Sequence, residues 1–176
     1  MKKGLAVVMG LLFCLSLVNI ALAAGEKIGS VDVGKLFDEY QKTKEYSKNI
    51  ELKAGAYEKE RDVKISELKQ LQDKLNLLTD AEKEKKQKEL EEKVKAARDF
   101  SLTKETDLKK EGDDKLKEIA KDIENSVAQF AQKEGYSMIF NDRVFAYTNK
   151  ANDVTAKVME VLQDNYKKAL LQKESK

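Results

Sequence analysis

The stretch "LLTDAEKE", residues 77–84, marks the point at which one long charged helix ends and another begins. Thr79 followed three residues later by Glu82 is a capping box, in which both side chains bond free backbone N–H groups at a helix start. We therefore predict a tight turn with its tip near residues 76–80, followed by a second helix over about 80–134.

The helix before this turn shows the spacing of a coiled coil. It is predicted to start at about Lys35 or Gln41 and to run to about Leu78. Its inner positions alternate between steps of four and three residues, the period at which two helices pack along one seam. Two of these positions are basic, and long basic side chains can bury their stems while the charge stays in water. The predicted inner positions are Tyr57, Arg61, Lys64, Leu68, Leu71, Leu75 and Leu78.

Folding the chain at the turn tests this pattern, because the inner positions of the two helices should then meet. Tyr57 falls opposite Phe100 and Lys64 falls opposite Val94, so apolar or amphipathic groups face each other. We predict an antiparallel helical hairpin over residues 41–118, an arm that reaches roughly 55–60 Å at the helical rise per residue.

Large apolar residues are distributed unevenly along the chain. Residues 41–118 contain 15 Val, Ile, Leu, Met or Phe in 78 positions, whereas residues 119–162 contain 14 in 44. Only the second region has enough apolar side chains for a core, and the first has enough for a narrow seam. We therefore predict a small body made from residues 24–40 and 119–176, from which the arm projects.

Short β-strands are predicted only in the body. The run "KIGSVDV" at 27–33 is rich in β-formers and ends at a glycine. "YSMIF" at 136–140 and "VFAYT" at 144–148 are predicted to pair as a hairpin through the polar turn between them. Asp153 or Asn152 is predicted to cap the last helix. The fold class is α+β and mainly α.

A few short strands with open edges are marginally stable alone. Pairing those edges between copies of the chain would stabilise the body, so we predict self-assembly. The stoichiometry does not follow from this argument. The candidate residues of the assembling body are Ile28, Val31, Val33, Met138, Phe140, Val144 and Tyr147.

The N-terminus has the pattern of a cleavable signal peptide. Two lysines precede an uncharged apolar run over residues 5–22, and Ala-Leu-Ala at 21–23 offers the small residues that a signal peptidase recognises. Cleavage is predicted after Ala23, with Ala24 as the alternative, and residues 1–23 would be removed. A membrane anchor is the competing interpretation of this run.

The mature chain excludes several kinds of chemistry. It has no histidine, and the single cysteine, Cys14, lies in the signal peptide, so disulfides cannot stabilise it. No glycine-rich phosphate loop is present, and the acidic clusters are typical of a solvated helix face. We predict no catalytic residue, no metal site and no cofactor, and we do not expect an enzyme.

The charge balance limits the possible partners. The chain has 34 basic and 32 acidic residues, and removing Lys2 and Lys3 leaves 32 of each. A neutral chain lacks a global field for nucleic acid, so no nucleic-acid partner is expected. Four lysines near the arm tip could contact lipopolysaccharide or another anionic lipid, although interleaved glutamates weaken that hypothesis. They are Lys83, Lys85, Lys86 and Lys88.

The order of these segments resembles the Skp/OmpH family of periplasmic chaperones. A signal peptide, "KIGSVDVGKLF", a long charged hairpin and the compact C-terminal region follow one another as in that family. The individual motifs are short, and their joint order over the mature chain is fairly specific. The matching motifs lie at residues 28–33, 133–136, 144–147 and 153–155.

The resemblance implies a homotrimer, in which three bodies join through β-strands and three arms surround a cavity. It also implies an ATP-independent chaperone that holds unfolded outer-membrane β-barrel proteins in the periplasm. The sequence departs from the best-known member in two ways. That member is strongly basic whereas the mature chain is neutral, and the C-terminus continues past the usual helix as "DNYKKALLQKESK", residues 164–176.

Client contact is assigned by hypothesis to apolar arm residues that fall off the predicted seam. Unfolded outer-membrane strands alternate apolar and polar residues, and scattered apolar side chains could hold them by many weak contacts. The alternative is that these residues pack within the hairpin or are simply exposed. The candidates are Leu52, Val63, Ile65, Leu77 and Leu102.

A structural or adaptor coiled coil of the cell envelope is the competing function. A rigid spacer would favour a long unbroken seam, and this seam is poor in apolar residues and interrupted by Gly55 and Gly112. Each glycine costs about 0.5–1 kcal/mol relative to alanine within a helix. The sequence does not define the client range, the affinity or the contribution of lipid.

Overall fold

A computed structural model describes residues 26–175 as a long helical hairpin that extends from a small α/β body. The predicted class, α+β and mainly α with an antiparallel hairpin, is confirmed. The elements in chain order are β1 (Ile28–Val31), α1 (Val33–Glu39), α2 (Gln41–Leu75), α3 (Asp80–Glu134), β2 (Met138–Asn141), 3-10 turns at Asp142–Val144 and Lys150–Asn152, and α4 (Thr155–Glu174).

The turn at the arm tip forms where the capping box predicts it. The Thr79 hydroxyl donates to the Glu82 carboxylate at 2.7 Å, and the Thr79 N–H donates to the same carboxylate at 3.4 Å. The Lys83 N–H donates to the Thr79 carbonyl at 2.9 Å, which begins the helical bonding of α3. Because the signal is local, the predicted bounds of α3 are also correct.

The seam of the hairpin follows most of the predicted inner positions. Leu75 and Leu90 are buried near the tip, and the rings of Tyr57 and Phe100 lie 6.0 Å apart. Two details of the prediction are wrong.

Val94 is 48% exposed, so it is not buried in the seam opposite Lys64 as predicted. The Lys64 ammonium lies 4.7 Å from the centre of the Phe100 ring, because the long side chain finds a cation–π contact farther along α3. Arg61 is exposed and bonds Asp62 at 3.2 Å instead of entering the seam.

The core of the body joins the described segments that come before and after the arm. The last turns of α3 supply one face, and α1, β1 and α4 pack against it. These segments are far apart in sequence, because the whole arm lies between them. The buried core residues are Val31, Leu36, Tyr40, Ile119, Ile123, Phe130, Val154, Val158 and Leu162.

The sheet differs from the predicted hairpin. β1 and β2 pair in parallel, with Ile28 opposite Met138, and a bridge from Ser30 to Asp153 occupies the other edge of β1. Within the described residues, no strand forms over 144–148, so the predicted pairing of 136–140 with that segment is wrong.

Local hydrogen bonds explain why the hairpin does not form. The Asn141 side chain accepts the Arg143 N–H at 3.3 Å, and the Phe145 N–H donates to the Asp142 carbonyl at 3.1 Å. The chain therefore enters a 3-10 turn directly after β2. The Phe145 ring then packs edge-on against Phe140, with centroids 5.4 Å apart.

Helix ends in the body follow ordinary capping chemistry. The Asp32 carboxylate accepts the Lys35 N–H at 2.8 Å, which starts α1 earlier than predicted. The Asp153 carboxylate accepts the Thr155 N–H at 2.8 Å, as predicted, although Val154 is the boundary residue of α4. Gly135 ends α3 with φ +73°, a left-handed conformation that glycine adopts without strain.

The predicted first helix is divided at Tyr40. Its φ and ψ of −62° and 127° are extended, so α1 belongs to the body and α2 to the arm. The predicted signal peptide and its predicted cleavage after Ala23 lie outside the described residues. Across residues 26–175, no helix combines the length and apolar character needed to cross a membrane.

Candidate functional site

The arm exposes all five of the apolar residues predicted to contact a client. Each side chain is more than half exposed, and Leu77 at the tip is the most exposed of them at 87%. None of the five lies in the seam, so the hairpin leaves them available at its surface. Their role in binding stays a prediction. They are Leu52, Val63, Ile65, Leu77 and Leu102.

These side chains do not form one continuous apolar face. Leu52 and Val63 are eleven residues apart, about three helical turns, so they lie on the same side of α2. Ile65 follows two residues later and is rotated by about 200° from Val63. Leu102 lies on the other helix of the hairpin. Such an arrangement offers separate weak contacts and no fixed groove along the arm.

The tip differs from the rest of the arm, because it contains a concave apolar surface that was not predicted from the sequence. A cavity of about 540 Å³ is lined by Leu71, Leu75, Leu77 and Leu78, with lysines and glutamates at its rim. Leu71 and Leu78 were predicted as seam residues, yet both are only half-buried. The one sequence signal for this apolar surface is the pair of neighbouring leucines at 77 and 78, because two consecutive side chains cannot both point into a two-helix seam.

Two of the tip lysines already have acidic partners. Lys86 bonds Glu89 at 2.5 Å, and Lys88 bonds Glu84 at 3.5 Å. The hydrogen bond from Lys86 lowers the pKa of the Glu89 carboxyl, with the charge of Lys86 adding to the effect. These pairs reduce the local positive charge, which weakens the hypothesis of an anionic lipid partner.

The body presents a second apolar surface beside the sheet. Met138 and Phe140 alternate with inward residues along β2, and Ile28 lies opposite Met138 on β1. All three are partly exposed, and Val144 and Tyr147 farther along the chain are exposed at 66% and 83%. Among residues 26–175, β2 has a partner strand on one side only. We call this edge and the adjacent side chains of Ile28, Met138, Phe140, Val144 and Tyr147 the assembly surface, and its part in self-assembly stays a prediction.

The other two predicted assembly residues lie inward. Val31 is 2% exposed in the core, and Val33 packs partly buried against it. Both therefore support the body itself. The role of all seven residues in self-assembly stays a prediction.

An ionic cluster joins the arm to the body. Lys42, in the first turn of α2, donates to Asp122 and to Glu118 on α3, each at 2.6 Å. The Tyr40 hydroxyl donates to Asp122 at 3.0 Å. Lys115 bonds the second oxygen of Glu118 at 2.5 Å. Sequence reasoning missed this cluster, because its members are some 80 residues apart in an evenly charged sequence.

The pKa values in this cluster reflect its pairing. Hydrogen bonds from Lys115 and Lys42 hold the pKa of the Glu118 carboxyl at about 2. Burial opposes the charge of Lys42, but hydrogen bonds to Asp122 and Glu118 outweigh it and raise the pKa of its ammonium. Burial and the neighbouring Asp122 raise the pKa of the Tyr40 hydroxyl. The groups thus hold the charge states that stabilise the cluster.

Tyr166 of α4 adds a further contact at the same place. Its hydroxyl donates to Glu45 at 2.6 Å, and its ring meets Tyr40 edge-on with centroids 5.6 Å apart. Burial, together with the bond to Glu45, raises the pKa of Tyr166 to about 12.

Within the described part of the chain, no cluster of three or more acidic or other ligand side chains is arranged to hold a metal ion.

Comparisons with known proteins agree with this architecture. The family model described as "Outer membrane protein (OmpH-like)" matches residues 27–162, more than three quarters of the chain. The chaperone protein Skp of Pectobacterium atrosepticum is 27% identical over 165 residues, an alignment covering 91% of this chain and 98% of that protein.

A solved structure shares the fold. The crystal structure of a protein described as an OmpH-like outer membrane chaperone from Caulobacter crescentus CB15 matches with a TM-score of 0.72. The match covers 80% of this chain and 85% of the other at 12% identity, so it bears on the fold alone. Since the family model spans both the arm and the body, the chain belongs to the OmpH-like family of outer membrane protein chaperones, the Skp/OmpH family, which is not a family of enzymes.

Proposed function

We propose that this chain is an ATP-independent periplasmic holdase, which binds unfolded outer-membrane β-barrel proteins as a homotrimer and prevents their aggregation in transit. Membership of the family supports the class of client and the compartment. The observation that carries the mechanism is the set of exposed apolar side chains distributed along a charged arm.

An unfolded β-barrel strand has an apolar side chain at every second position and has no regular structure to match. Isolated apolar side chains on several faces of the arm can each remove a small apolar area from water, at roughly 25 cal/mol per Å². No single contact is strong, so the client stays unfolded and can leave without ATP.

Self-assembly would turn these weak contacts into useful affinity. Several arms that surround one client make each further contact intramolecular, which can raise avidity by orders of magnitude without any new type of contact. The assembly surface supports this step, because an open strand edge bordered by apolar side chains favours pairing with another copy. The trimeric stoichiometry is carried over from the family resemblance.

The neutral charge of the mature chain favours apolar contacts over electrostatic capture. With 32 basic and 32 acidic residues after removal of the two signal-peptide lysines, the chain has no net field to draw a charged client from a distance. Client binding is therefore assigned mainly to the arm leucines, valine and isoleucine.

Light scattering tests the proposal. A urea-unfolded outer-membrane β-barrel protein is diluted into buffer with increasing amounts of the mature chain, and bovine serum albumin at equal mass is the control. Suppression of aggregation that saturates near three chains per client supports a trimeric holdase. Unchanged aggregation at excess chain would contradict it and favour the envelope spacer.

A further inference from the structure

The arm leaves the body at a break in the helix, and one side chain of α4 bonds both sides of that break. Tyr40 is extended between α1 and α2. The Gln163 side-chain amide donates to the Glu39 carbonyl at 3.2 Å, and its oxygen accepts the Gln41 N–H at 3.3 Å. These backbone groups lie at helix ends, where regular helical partners are missing.

Tyr166, one turn farther along α4, contacts the break residue itself and the start of the arm beyond it. Its ring packs against Tyr40, and its hydroxyl bonds Glu45 in the second turn of α2. Glu45 also accepts a hydrogen bond from the Gln41 side chain at 2.9 Å. Gln163 and Tyr166 thus act on the backbone and the side chains of the first turns of the arm.

Neighbouring residues fix α4 so that these contacts have a firm base. Leu162 is fully buried in the core. The Asn165 side chain donates to Gln129 at 2.8 Å and to the buried Ser126 at 3.3 Å, which ties α4 to α3. A contact made from a fixed helix can restrict the orientation of what it touches.

We propose that Gln163 and Tyr166 form a clasp that sets the angle at which the arm leaves the body. The clasp lies beyond residues 27–162, the range matched by the family model, so it is inferred from the contacts of this chain and not from the family. In the assembled protein the clasp limits how far the arms spread, and hence the space for a client; this last step rests on the proposed holdase function.

A distance measurement between arm and body tests the clasp without any client. The mature chain has no cysteine, so the exposed Lys59 on α2 and Lys157 on α4 can each be replaced by cysteine and spin-labelled. Labelled chain is assembled with an excess of unlabelled chain, so that each assembly contains at most one labelled copy. Pulsed EPR then reports the distance distribution between the two labels.

The test compares Gln163→Met with Tyr166→Phe, the double variant and a control. Methionine keeps the length of glutamine without the two hydrogen bonds to the break, and phenylalanine keeps the ring without the hydroxyl. Lys167→Met, on the exposed side of α4, is the matched control. Lys59 is roughly 27 Å along α2 from Gln41, so a change of about 10° at the break would move it by about 5 Å.

We expect a narrow distribution in the starting protein and in Lys167→Met. In the double variant we expect either a mean shifted by about 5 Å, the displacement that a change of about 10° at the break produces, or a width about twice that of the starting protein. An unchanged distribution in the double variant would overturn the clasp. A distance distribution in the starting protein that is already as broad as that of the double variant would also overturn it. A lower urea midpoint with an unchanged distribution would also overturn it, because the residues would then only stabilise the fold. Failure of the holdase proposal would leave this result unaffected.

Discussion

The ammonium of Lys42 lies 2.6 Å from a carboxylate oxygen of Glu118, and this pair connects the first turn of α2 to α3 where the arm meets the body. Hydrogen bonds from Lys115 and from Lys42 together lower the pKa of Glu118 to about 2. Their stabilising effect is therefore fully present above the ordinary carboxyl pKa of 4.5 and is lost as the pH falls through about 2.

Replacing Lys42 by methionine should make this dependence visible. Because the Glu118 side chain is 43% exposed, we expect a loss of no more than about 1 kcal/mol in the free energy of unfolding at neutral pH. The difference from the starting protein should shrink between pH 4.5 and 2, the window set by Glu118. Urea unfolding at several pH values measures it, and Lys44→Met, an exposed neighbour, is the control. A difference that stays constant down to pH 2 would contradict the assignment.

The body core should be far more sensitive to truncation than the arm surface. Leu36 is completely buried, so Leu36→Ala should reduce the free energy of unfolding by about 2–5 kcal/mol. The exposed Leu52 changed to alanine should alter it by less than about 0.5 kcal/mol. Both are measured by urea unfolding at one protein concentration, because the proposed self-assembly would add to stability. Equal losses would show that the core is placed wrongly.

A charge at the open edge of β2 should prevent self-assembly. Met138 lies on that strand beside the unpaired edge, and lysine at strand edges opposes pairing with another chain. Met138→Lys should shift the assembly towards the monomer in sedimentation velocity. Leu171→Lys, at an exposed position near the end of α4, should leave the mass unchanged. If Met138→Lys assembles as the starting protein does, the assembly surface lies elsewhere.

Client protection should depend little on salt. Without the predicted signal peptide the chain is neutral, and at 1 M salt the Debye length is about 3 Å, which screens attraction at longer range. The amount of chaperone needed to halve light scattering should therefore be similar at low and high salt. Client alone is measured at each salt concentration as the reference. A requirement that rises steeply with salt would indicate electrostatic capture instead.

Local signals allowed the arm to be predicted well. The capping box at Thr79 and Glu82 and the heptad spacing through Tyr57 and Leu75 depend on neighbours within one or two helical turns. Both are satisfied in the structure. These two signals were enough to predict that both arm segments are helices and where the turn between them lies.

Features that depend on distant partners could not be predicted in the same way. "VFAYT" has the pattern of a strand, yet β2 pairs with β1 across more than 100 residues, and the local bonds of Asn141 and Phe145 form a 3-10 turn. Propensity describes a strand but not its partner. The bonds of Gln163 to the break at Tyr40 are equally non-local, and nothing in the spacing indicated them.

The proposed function requires that the exposed apolar side chains of the arm hold the client. The most direct test replaces Leu52, Val63, Ile65, Leu77 and Leu102 together by serine and measures both client aggregation and assembly mass. The control replaces five exposed polar arm residues by serine, which leaves the net charge unchanged. They are Asn49, Gln70, Gln72, Gln87 and Thr103.

We expect the apolar-to-serine variant to assemble normally and to need at least about tenfold more chain for the same protection, a loss of about 1.4 kcal/mol in client binding. The control should protect as the starting protein does. If the apolar-to-serine variant assembles and protects as well as the control, the arm leucines, valine and isoleucine do not hold the client, and the account is wrong.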